Sequence, residues 1–232
     1  MALTLCGSSE DAYQTYLKCP ETEIIQRLKY VSQMSRDGNY SFTASEDNMK
    51  VQYVFLPIRK LLYLLYSDGS DSEIREWFSL AQRIDKQNTI FPRKIATFFF
   101  FGLIGFSFAR KYAEEREEWE EVGNNALEQF HKWVENSDWN FKNKLNLLMA
   151  ERCFLQDNQQ NAFEQYDSAI RAARDHKFVH EEGLANVAAA KCCLHYGKKK
   201  EAMIYYAQAK DCYGRWGANA LVSRIEEICR KL

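Results

Sequence analysis

The 232-residue sequence predicts an all-α fold, a superhelix of antiparallel helix pairs, from three observations. Apolar residues recur at helical spacing between short polar breaks, and the period-two alternation of strands is nearly absent. Ten glycines and three prolines leave few interruptions. In the C-terminal half, small and aromatic residues repeat at a fixed interval, the signature of a helical solenoid.

Breaks fall at Asp37-Gly38-Asn39, Ser67-Asp68-Gly69-Ser70-Asp71, Lys86 to Pro92, Asn136 to Asn140, Asp157-Asn158, and the glycines Gly197, Gly214 and Gly217. They divide the chain into N-terminal helices over 1–47, divergent helical repeats with a buried apolar helix over 48–136, and helix pairs with a C-terminal capping helix over 137–232. Helices are expected over 50–66, over 71–86 behind Ser70 or Asp71 as cap, and over 92–113 with Pro92 in the first turn. Further helices are expected over 142–156, 159–176, 179–196 and 218–230, for about ten in all. Within 159–176, Ala162, Phe163, Tyr166, Ala169, Ile170 and Ala173 share one face of a 3.6-residue helix.

Ala150, Ala162, Tyr166 and Ala169 return as Ala190, Ala202, Tyr206 and Ala209, each displaced by 40 positions, and Cys153 returns as Cys193. Ala126, Phe130 and Trp133 form a weaker echo 36 positions before Ala162, Tyr166 and Ala169. Periods of this size belong to helix-pair solenoids. Alanine lets two helices approach to the short end of the usual 8–10 Å spacing, so the alanines mark crossings. The tyrosines then fill the wedge between one pair and the next.

The last hundred residues also carry a resemblance. Phe130-His131-Lys132-Trp133, Asn140-Phe141-Lys142-Asn143-Lys144, Ala150-Glu151, the Ala162–Ala169 stretch with Tyr166-Asp167, Phe178, Glu181-Glu182, Leu184-Ala185 and the closing Trp216-Gly217-Ala218 stand in this order. Residues 130–232 resemble the tetratricopeptide-like helical region of large multi-domain signalling proteins, which lies between an AAA/STAND-type ATPase segment and GAF or histidine-kinase domains. The resemblance implies a tetratricopeptide-like superhelix and an interaction role in signal transduction. It supplies no catalytic residue. The chain has no GxxxxGK[ST] loop and no kinase motif, so it carries the scaffold part of such proteins without either engine.

Composition narrows the partner. With 31 Lys+Arg against 32 Asp+Glu, the chain lacks the basic excess of a nucleic-acid binder. A chain of this size buries roughly 70% of its unfolded surface and needs no disulfides for a core. The first residues, Met1-Ala2-Leu3-Thr4-Leu5-Cys6-Gly7-Ser8, show no secretory signal, so a cytoplasmic location is expected. The seven cysteines include no CxxC pair and read as reduced, small apolar residues.

The apolar run Ile95–Ala109, flanked by Arg93-Lys94 and Arg110-Lys111, falls short of the ~20 residues of a membrane span and reads as a central buried helix. The acidic helix 114–121 reads as a solvated face with i,i+4 pairs. His176 and His180 lack a third ligand at useful spacing, and Cys193 and His195 point to different faces, so neither a metal site nor a nucleophile pair is expected. Lys198-Lys199-Lys200 reads as a solvated hairpin tip.

The expected function is therefore a non-enzymatic helical-repeat scaffold that binds a protein or peptide partner, without cofactor. The alternative is a regulatory relay segment separated from an ATPase/kinase signalling protein. If Ala150 and Ala190 are packed positions, the next residues, Glu151 and Lys191, together with Lys144 and His195, should face the groove lined by the first helix of each pair.

Overall fold

The computed structural model describes residues 57, 58, 60–62, 64–66, 69–85 and 91–232. The helices expected over 1–47 lie outside the described residues. Among the described residues every regular element is helical: α1 (Asp71–Asp85), α2 (Phe91–Lys111), a 3₁₀ turn (Ala113–Glu115), α3 (Arg116–Asn136), α4 (Asp138–Leu155), α5 (Gln159–Asp175), α6 (Val179–His195), α7 (Lys199–Trp216) and α8 (Asn219–Lys231). No described helix is long and apolar enough to cross a membrane. The chain divides into two compact units at Phe100/Phe101, within α2.

In the first unit, Ile58, Leu61 and Leu64 are buried, as are Ile74, Phe78, Leu80 and Ala81 of α1. α1 starts where the sequence places its cap: the Glu73 backbone N–H donates to Ser70 Oγ at 3.3 Å, and Ser70 Oγ donates to the Glu73 carboxylate at 2.9 Å.

In the second unit, α2 and α3 meet backbone to backbone. A Cβ on Gly105 would lie 2.7 Å from both the Gly123 nitrogen and the Trp119 carbonyl oxygen, so only glycine permits the approach. Phe108 meets Trp119 edge to face at 4.9 Å, and the Trp119 indole N–H donates to Glu115 at 2.7 Å. The acidic stretch is a 3₁₀ turn followed by the first turns of α3. Glu114, Glu117, Glu118 and Glu121 are exposed there. Carboxylates at this end of a helix are favoured by its dipole.

From α4 onward each helix packs on its predecessor, and α4 also touches α6. The sequence boundary near 136–137 corresponds to the single residue Ser137 between α3 and α4, which themselves pack together. The alanine stripes are at the contacts: Ala150, Ala162, Ala169, Ala190, Ala202 and Ala209 are all 0% exposed. Tyr166 and Tyr206 are fully buried, as the wedge-filling role requires.

The turns carry a second period. Asp157, Lys177, Gly197 and Gly217 have φ of 56°, 66°, 71° and 81°, and they stand 20 positions apart. After each, the next N–H donates back across the helix end: Asn158 to Cys153 at 2.9 Å, and Phe178 to Ala173, Lys198 to Cys193 and Ala218 to Tyr213, each at 2.8 Å. These are Schellman closures, which satisfy carbonyls the helix leaves unpaired. Only two of the four positions hold the glycine that this backbone favours. Gly214, read from sequence as a break, lies inside α7; Gly217 provides the left-handed cap. Lys177→Gly is expected to raise stability by about 1 kcal/mol, and Gly217→Ala, where a Cβ meets nothing, to lower it by about as much. Urea unfolding of both variants checks the pair, and equal stability would contradict it.

α8 stands where a further repeat would begin. Its Ile225 is buried at 4% exposure, whereas Leu221 and Ile228 are half-buried.

Candidate partner-binding groove

The structure separates the four residues expected to line one groove. Glu151 is buried and faces inward from α4. Its Oε2 accepts from Arg110 Nη2 at 2.5 Å, its Oε1 from the Tyr166 hydroxyl at 2.7 Å, and its backbone carbonyl from Arg110 Nη1 at 3.0 Å. Arg110 also lies over the Phe154 ring at 4.2 Å. Burial alone would lower the Arg110 pKa, but the Glu151 carboxylate beside it outweighs that and leaves it raised. The Tyr166 phenol is pushed well above its ordinary value by burial, with the negative charge of Glu151 adding to the effect.

Lys144 is buried too, at 8% exposure. Its Nζ donates to Glu181 at 2.7 Å and to the Asn140 carbonyl at 3.1 Å, and lies 4.6 Å from the centre of the Phe178 ring. Asn143, one position earlier, donates to the same Glu181 oxygen. The expectation that Lys144 and Glu151 face an open groove is thereby corrected. Glu151, next to the packed Ala150, and Lys144 both turn inward because each finds a counter-charge some 40 residues away, Arg110 and Glu181. Lys191 and His195 are exposed on α6, with His195 edge-on to Phe154 at 5.1 Å.

Two further histidines are engaged in ring stacks. His176 stacks on Trp139 at 4.2 Å and His180 on Trp216 at 5.3 Å. Burial holds the His180 pKa below its ordinary value, with Lys144 acting in the same direction and Glu181 against it. Among the described residues, no three His, Cys, Asp or Glu side chains gather to hold a metal. Burial pushes the Cys192 thiol up to about 12 and the Cys193 and Cys212 thiols to about 11, so at neutral pH all three stay protonated.

An open groove of about 530 Å³ lies elsewhere, between α5 and α7, and a second of about 320 Å³ shares Arg174, Ile204 and Gln208 with it. At its base Glu182, the first-turn carboxylate of α6, is buried with 3% of its side chain exposed. Arg174 Nε donates to one Glu182 oxygen at 2.8 Å and Arg215 Nη2 to the other at 3.3 Å. Arg215 also pairs with Asp211 at 2.9 Å, and the Tyr205 hydroxyl donates to Asp167 at 2.8 Å. The buried carboxylate thus fixes two half-exposed guanidiniums on the groove wall.

Ile204, on α7 like Arg215 and across from Arg174, is 59% exposed and its neighbour Met203 is 37% exposed; with Trp139 they are the exposed large apolar side chains among the described residues. The sequence reading missed this face, although one signal was present: the 40-residue register sets Ile204 on Glu164, so an isoleucine occupies a position held by a charge one repeat earlier.

No family model, curated protein or solved structure matches the chain.

Proposed function

We propose that the chain is a non-enzymatic, tetratricopeptide-like scaffold: a superhelix of antiparallel helix pairs that binds a protein partner. The observation that carries this reading is the double period, alanine contacts every 40 residues and left-handed turns every 20, with an open face left between α5 and α7. Stacked pairs of this kind expose long surfaces suited to a protein segment. The titratable clusters are committed to architecture, since Glu151, Glu181 and Glu182 each neutralise a cation across a helix seam. The resemblance of residues 130–232 supports a role in signal transduction.

The test is reconstitution. Proteins crosslinked to the tagged chain in cells are purified singly and mixed with the purified chain. A complex of fixed stoichiometry in size-exclusion chromatography supports the scaffold. Failure of every crosslinked protein to assemble, or substrate turnover by the chain alone, contradicts it.

A further inference from the structure

Within the scaffold reading, on which this inference rests, we propose that the α5/α7 groove docks an amphipathic helix of the partner, with an aliphatic side chain seated on Ile204 and a carboxylate held by Arg174. The chemistry of Arg174 supplies the polar half. Its Nε is engaged by the buried Glu182, whereas Nη1 and Nη2 have no partner among the described residues. A guanidinium held by its Nε edge presents its outer N–H groups as a pre-oriented fork, which suits the two oxygens of a carboxylate. Arg171, one turn earlier on α5, lines the same groove and adds a second positive charge; its Nη2 donates to Ser168 at 3.1 Å.

Ile204 supplies the apolar half. At 59% exposure it leaves hydrocarbon in water that a partner's side chain would cover. Gln208, one turn further along α7, lines both parts of the groove beside it. Four carboxylates share the lining with the three arginines: Glu182 holds Arg174 and Arg215, Asp211 pairs with Arg215, Asp167 accepts from Tyr205, and Glu201 stands at the start of α7. The outer N–H groups of Arg174 and the charge of Arg171 are what the groove leaves to face a partner carboxylate. An aliphatic anchor with an acidic residue on the adjoining turn matches this pattern, and the i, i+3 and i+4 spacing of a helix places both on one face.

The probe is a synthetic amphipathic helix of about four turns, with leucines on one face flanked by glutamates, and its counterpart with lysine for glutamate. Each is titrated into the full chain while the Ile204 methyl is followed by NMR and the labelled probe by fluorescence anisotropy. The glutamate probe is expected to shift the Ile204 methyl saturably and to bind about tenfold more tightly than the lysine probe. Ile204→Ser, which removes mostly exposed hydrocarbon, and Arg174→Lys, which keeps the charge but not the fork, are each expected to weaken it about tenfold with unchanged circular dichroism.

Equal binding of the two probes, binding that leaves Ile204 unmoved, or no binding of either at millimolar concentration overturns the proposal. So does an Ile204 shift produced by raising the chain concentration alone, which would assign the groove to a second copy. If a reconstituted partner binds the Ile204→Ser variant as well as the parent, this inference falls and the scaffold reading stands. If no partner assembles at all, the scaffold reading itself falls.

Discussion

Glu151→Ala is expected to destabilise the fold by about 3–5 kcal/mol, the cost of stranding one member of a buried ion pair. Glu151 shows only 8% of its side chain to solvent and Arg110 only 21%, so water cannot replace the lost carboxylate. The variant leaves two groups without their acceptor, the Arg110 guanidinium and the Tyr166 hydroxyl, and opens the volume of the lost side chain. Two controls separate this from a general effect of removing charge. The Lys132–Glu128 pair is nearly as close, at 2.7 Å, but exposed on both sides, so Glu128→Ala is expected to leave the unfolding transition in place. Replacing both partners with hydrocarbon, Arg110→Met with Glu151→Leu, should recover most of the loss because no unpaired charge remains. Urea unfolding monitored by circular dichroism reads all three, and a Glu151→Ala transition superimposable on the parent would show that this carboxylate is solvated.

Gly105→Val is the second large effect, expected at about 3 kcal/mol, the upper part of the overpacking range. The atoms in the way are the Gly123 nitrogen and the Trp119 carbonyl oxygen, both at 2.7 Å from the added Cβ. A flexible side chain can swing aside, but backbone cannot, so α3 must move away and loosen the Phe108–Trp119 contact with it. Gly214→Ala is the opposite case. Gly214 lies inside α7, and an added Cβ there meets nothing within 4 Å. It should therefore stabilise by about 1 kcal/mol through helix propensity alone. Thermal melts of the two glycine variants should move in opposite directions, and movement in the same direction would contradict the α2–α3 contact.

The helices and their contacts were legible because they depend on side-chain size and period. Alanine at 150, 162, 169, 190, 202 and 209 has one strong reason to recur, and all six are buried. The turn at Gly217 was legible because glycine announces a left-handed backbone. The turn at Lys177, placed by the helices expected over 159–176 and 179–196, has the same geometry, but its left-handed backbone was invisible, since lysine carries no such preference. The site was read least well. Charge is a good guide to exposure only when no counter-charge is near, and Arg110 approaches Glu151 from 41 positions away, beyond any local pattern. Ile204 errs the other way, an apolar residue on an exposed wall, and only alignment with Glu164 in the repeat distinguishes it from a core position.

The most direct test of the alanine-contact account compares tryptophan at two adjacent positions of α7. Ala202 is 0% exposed at a crossing, whereas Met203 is 37% exposed beside it. Ala202→Trp is expected to cost about 1–3 kcal/mol, lowering the melting midpoint by about 2–12 °C, while Met203→Trp leaves it near that of the parent. Midpoints unchanged in both variants, or lowered equally, would show that position 202 is not where neighbouring helices touch.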